Sequence, residues 1–102
     1  MYIEEVSRGT ITEELSKKYS EFWEHDMTVT ELRLVPYLYY CIVDHRCIDP
    51  RKITSDERKI ISNLRKRGLI DGGASESLAC TRECWDVFTN ILWDAYADKI
   101  ID

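Results

Sequence analysis

The chain has 102 residues, 44% of them apolar and 32% charged, and a formal net charge of −5. That length suits one domain with one core, and the composition excludes a disordered, collagen-like or disulfide-dense secreted chain. The longest apolar stretch, Val35 to Val43, is too short to span a bilayer, and the acidic N-terminus does not read as a secretory signal. The expectation is a cytoplasmic protein with no membrane partner, in which Cys41, Cys47, Cys80 and Cys84 are thiols.

Thr10 with Glu13, Thr28 with Glu31, and Thr54 with Glu57 have capping-box spacing, and each pair precedes a helical pattern. The first helix is predicted from about Thr12 to Glu24, with Ile11, Leu15, Tyr19, Phe22 and Trp23 near one face. The second runs from about Val29 to His45 and is apolar nearly all round, the pattern of a central buried helix. Pro36 is expected to kink or split it. Asp49-Pro50 marks a turn. The third helix runs from about Ser55 to Arg67, stops at Gly68, and has Ile60, Ile61 and Leu64 as its core stripe. Leu69-Ile70 and Leu78-Ala79-Cys80 read as two short strands around a loop of hairpin composition. Thr81 caps a last helix to about Ile100, with Trp85, Phe88, Leu92 and Tyr96 in register.

The run from Ile61 through Leu64 to Gly68-Leu69-Ile70, followed by Leu78-Ala79-Cys80-Thr81-Arg82-Glu83-Cys84-Trp85-Asp86-Val87-Phe88, resembles the second half of a winged helix-turn-helix domain. The likeness covers about residues 53–90, and MarR-like regulators are the nearest in pattern. The resemblance implies a mainly α (α+β), winged-helix-like fold of three helices, a short β-hairpin and a C-terminal helix. It implies one domain over 1–102, with the winged core at about 28–100 and the helix at about 12–24 packed on it. It further implies a recognition helix that enters DNA, and pairing through terminal helices as a homodimer. The chain departs from the family in three ways: a wing loop without Arg or Lys, a long connection at 45–54, and an acidic total charge. In size, acidity and aromatic content it is also similar to small phage or mobile-element accessory proteins.

Charge is unevenly spread: residues 46–67 carry eight basic and three acidic side chains, a local +5, between flanks of −5 each. Opposite its core stripe the third helix presents Ser55, Lys59, Ser62, Asn63 and Lys66, with Arg58 and Arg65 on a flank. Short polar groups can bond base edges and long cations can neutralise phosphates, so DNA is the first candidate ligand. A plain solvated face carries the same residue types. The alternative is an accessory factor or inhibitor that binds a host or regulatory protein, the basic island meeting an acidic partner surface or the acidic flanks a basic one.

On the last helix Ile91, Trp93, Ile100 and Ile101 extend apolar surface to either side of the Trp85, Phe88, Leu92 and Tyr96 stripe, which points to self-association through Trp85, Ile91, Trp93 and Ile100; a helix clasped between the hairpin and the first helix is the alternative. Cys41 with His45 and Cys80 with Cys84 stand four apart, but neither is a tight zinc knuckle, and buried cysteine behaves as a small hydrophobe. His25 and His45 are the only imidazoles, and no phosphate loop, dinucleotide fingerprint or nucleophile motif occurs. The expectation is a non-enzymatic regulatory binding module without metal or cofactor.

Overall fold

The computed structural model describes residues 12–97; Thr10, Ile11, Ile100 and the side chain of Tyr96 lie outside what is described. It is mainly helical, with one small antiparallel sheet.

Helix α1 (Glu13–Lys18) starts where the Thr12 hydroxyl accepts from the Leu15 N–H at 3.0 Å. The predicted first helix is broken at Tyr19, and α2 (Ser20–Trp23) follows as a separate turn ending at Glu24. The break has a tertiary cause. Tyr19, Phe22 and Trp23 are all buried, and Met27 folds back to exchange bonds with Ser16 through both its N–H and its carbonyl. One straight helix does not bring all of these into the core together.

Helix α3 (Val29–Val43) begins with a complete capping box between Thr28 and Glu31. Pro36 does not split it. A proline inside a helix costs about 3 kcal/mol. Five apolar side chains of this helix (Leu32, Leu34, Val35, Leu38 and Cys41) are essentially fully buried, and burial is worth about 1.5–3 kcal/mol for each large one. Packing therefore outweighs the proline. The helix is not buried all round, however: Val29, Tyr40 and Val43 are exposed. It ends before His45, which takes a left-handed conformation (φ 55°), while the Arg46 N–H reaches back to the Cys41 carbonyl at 2.8 Å. That is the bonding of a Schellman cap.

The connection to the next helix is knitted to the rest of the protein. The Arg46 carbonyl accepts from Leu78 N–H at 3.0 Å, and the Ile48 N–H donates to the Gly73 carbonyl at 2.8 Å. Asp49 then caps a 3₁₀ turn, Pro50–Lys52, and its own N–H donates to the Tyr37 hydroxyl. Helix α4 (Ser55–Lys66) has a second complete capping box, Thr54 with Glu57, and stops at Gly68 (φ 76°).

Strands β1 (Ile70–Asp71) and β2 (Ala79–Cys80) pair antiparallel, Ile70 opposite Cys80 and Asp71 opposite Ala79. The intervening loop is a turn, with Gly73 N–H donating to the Glu76 carbonyl. Helix α5 (Arg82–Leu92) is capped by Thr81 and runs into a π-helical turn, Trp93–Ala97. Cys84, Phe88 and Ile91 are buried on α5 and Ala95 in the turn after it; of the predicted stripe, Phe88 is buried while Trp85 and Leu92 are only partly so. Trp85 stays partly buried and stacks on Tyr39, ring centroids 4.7 Å apart. Small Cys84 and Ala95 take the inward positions instead. One core joins α2, α3, α4, the hairpin and α5, with Phe22, Trp23 and Phe88 as its aromatic centre.

Candidate binding surface

Two capping boxes and a glycine stop fix where α4 begins and ends, and its stripe of Ile61 and Leu64 fixes which way it faces. Ile60 is only partly buried. All seven candidate residues, Ser55, Arg58, Lys59, Ser62, Asn63, Arg65 and Lys66, are consequently exposed. Lys59 and Lys66 make no ion pair among the described residues.

The face divides into two flanks. On one, Arg58, Ser62 and Arg65 border a groove of about 410 Å³ formed with Ile48, Pro50, Ile53, Ile61, Gly73 and Ala74. Arg58 donates to the Pro50 carbonyl at 2.9 Å and Arg65 to the Gly72 carbonyl at 2.7 Å, so both guanidiniums are tied to neighbouring turns. On the other flank, Lys59 and Asn63 line a cavity of about 320 Å³ with Trp23, Glu24, His25, Glu31 and Ile60. There the Glu31 carboxylate is buried. It accepts from the Thr28 N–H at 2.8 Å and lies 2.6 Å from His25 Nε2. Ser62 and Asn63, read from sequence as neighbours on one base-reading edge, thus face opposite flanks.

The basic island is also thinned. Arg46 pairs with Asp44 and Arg51 with Asp49, each raising the arginine and lowering the carboxyl through the bond they share. Arg67 turns inward: it donates to the Phe22 carbonyl at 2.6 Å, lies over the Phe22 ring and approaches Glu24. Lys52, Arg58, Lys59, Arg65 and Lys66 remain as the outward cations of the segment. The hairpin adds exposed Asp71 and Glu76 beside them.

The proposed self-association surface needs correction. Ile91 is fully buried, so it belongs to the core and contributes no surface. Trp85 is partly buried against Tyr39, Trp93 is 57% exposed, and Ile100 lies outside the described residues.

The four cysteines are free. The Cys41–His45 pair does not share a helical face, because the helix ends at Val43 and His45 is left-handed. Cys41 is buried and its thiol donates to the Cys47 carbonyl at 3.7 Å; burial pushes it up. Burial also raises the Cys84 thiol, to about 12, and the Cys80 thiol beside it. A thiol so raised is a weak nucleophile at neutral pH. Among the described residues no group of three or more His, Cys, Asp or Glu is placed to hold a metal, and no helix is long and apolar enough to cross a membrane.

Sequence reasoning missed the groove partners Ile48 and Ile53. Two isoleucines inside the otherwise polar run Cys47-Ile48-Asp49-Pro50-Arg51-Lys52-Ile53 were the available signal. Compared with known proteins, the chain matches no protein-family model, no curated protein and no solved structure.

Proposed function

We propose that this protein is a non-enzymatic regulatory binding module of winged-helix-like build, and that α4 is its recognition element for duplex DNA. The observation that carries the reading is the outward face of α4, where Ser55, Arg58, Lys59, Ser62, Asn63, Arg65 and Lys66 are all exposed. The order of elements supports it, since a hairpin follows α4 directly, as a wing follows a recognition helix. The long connection at 45–54 is consistent as well. Part of it is used as a backbone strip against the hairpin, and part as the Pro50–Lys52 turn. The acidic hairpin repels phosphate, so binding is expected to be weak and strongly salt-dependent.

Fluorescence anisotropy with duplexes at low salt tests this. Lys59→Ala or Lys66→Ala should weaken binding to every sequence and reduce the salt slope by about one unit per lost phosphate contact. Asn63→Ala should instead cost about 1–3 kcal/mol at particular base pairs. No binding to any duplex at low salt refutes the DNA reading.

A second reading is favoured by exposed apolar surface: Val29, Tyr40 and Val43 on α3, and Trp93 beyond α5. In it the protein is an accessory factor or inhibitor that binds another protein, or pairs with its own copy. Sedimentation at high concentration tests pairing, and Trp93→Ser should abolish it without unfolding the chain. A nuclease-resistant stoichiometric complex favours a protein ligand.

A further inference from the structure

The groove beside α4 has a chemistry of its own, separate from the crest of the helix. Its floor is apolar: Ile61 is buried, and Ile48 and Ile53 are partly buried against the same core. It is firmly built, because the Ile48 N–H is bonded to the Gly73 carbonyl. A Cβ at Gly73 would lie 3.2 Å from Ile48 Cδ1, so this edge has no slack. Among the described residues, the charged groups on its border are Arg58 and Arg65, and no carboxylate lines it.

These two arginines stand seven residues apart on one face, about 10 Å along the helix axis. Each is positioned by a single backbone carbonyl. A guanidinium has five N–H donors, so most of each fork is left for a partner, and it is already oriented. A volume of about 410 Å³ takes one or two large side chains, not a whole chain segment. The groove therefore asks for an apolar anchor flanked by two negative charges, spaced to match arginines seven residues apart on a helix.

We infer that this groove docks an acidic amphipathic helix of a partner protein. The partner helix carries carboxylates at i and i+7 and apolar side chains at i+3 and i+4. The spacing follows from geometry: two helices lying side by side share the same rise, so carboxylates seven apart meet arginines seven apart. Residues i+3 and i+4 lie on the same face, between them, and enter the apolar floor. The proposal does not depend on DNA binding, although both would engage Arg58 and Arg65.

The test uses a labelled, alanine-based helical peptide with Glu at i and i+7 and Leu at i+3 and i+4, titrated with the full chain. Saturable binding is expected. It should weaken about tenfold with Arg58→Ala or Arg65→Ala, as for loss of a close interfacial charge pair. It should weaken similarly when the peptide's Glu residues become Gln, a change that cannot disturb the protein's fold. Replacing both Leu by Ala should also abolish it. Binding that ignores the Glu→Gln change or the two arginine variants, or no binding at low salt, overturns the proposal. A duplex titrated in parallel keeps the two readings apart: a chain that binds the peptide and no duplex refutes DNA binding alone, and the reverse refutes the groove alone.

Discussion

Ile91 and Trp93 stand two residues apart near the end of α5, and the structure assigns them opposite environments. Ile91 has no exposed surface, whereas Trp93 is 57% exposed. Ile91→Ala removes three carbons from a close-packed site. At about 0.8 kcal/mol per methylene the transfer loss is about 2.4 kcal/mol, and the cavity left behind brings the total to about 3–4 kcal/mol. For a domain of this size that lowers Tm by roughly 12–30 °C. Trp93→Ala gives up only the contacts of its smaller, covered part, about 1 kcal/mol after allowing for a compact unfolded chain. Urea denaturation followed by circular dichroism measures both, and sedimentation of each variant reports its association state. Two results refute the reasoning. One is Trp93→Ala proving as destabilising as Ile91→Ala. The other is Ile91→Ala leaving stability within about 0.5 kcal/mol while dissolving a dimer, which would place Ile91 at an interface.

Three further outcomes are expected. Gly72→Ala should cost about 3 kcal/mol in denaturant melts, because its Cβ would sit 2.4 Å from the Ser77 carbonyl oxygen at φ 72°. Gly68→Ala, equally left-handed but with open space around it, should cost only about 1 kcal/mol. Asp94 accepts from Lys18 and from the Tyr19 hydroxyl. Burial raises its carboxyl, but these bonds outweigh that and hold it below its usual value. A carboxyl lowered in the folded state stabilises above its unfolded range and loses that contribution as pH falls through the folded value. Asp94→Asn should therefore be destabilising by about 1–3 kcal/mol at pH 7, and the gap to the unaltered chain should shrink below about pH 4. A gap that does not change with pH would contradict the assignment.

Helix starts were readable from the sequence because their signals are local. Thr28 with Glu31 and Thr54 with Glu57 form both bonds of a capping box, and Thr81 caps α5, all within three residues. Gly68 and the glycine-bearing hairpin loop are likewise settled by backbone conformation nearby. The exposed face of α4 was legible too, since a stripe containing Ile61 and Leu64 leaves few orientations for Ser55, Lys59, Ser62 and Lys66.

Only the tertiary structure decided the rest, because each feature depends on partners distant in sequence. The first helix breaks at Tyr19, whose hydroxyl meets Asp94, 75 residues away, and whose neighbour Phe22 packs on Phe88. Cys84 on α5 and Ala95 in the turn after it join the core shared with α2 and α3, while Trp85 stacks on Tyr39 of α3. The strip at Arg46 and Ile48 exists because the loop between the strands offers it the Gly73 carbonyl and the Leu78 N–H. The groove beside Arg58 and Arg65 follows from that strip, since it brings Ile48 and Gly73 up to α4. Local bonding thus fixed where α3, α4 and α5 begin and where α4 stops, while long-range burial broke the first helix, chose which faces turn inward and made the surface between the elements.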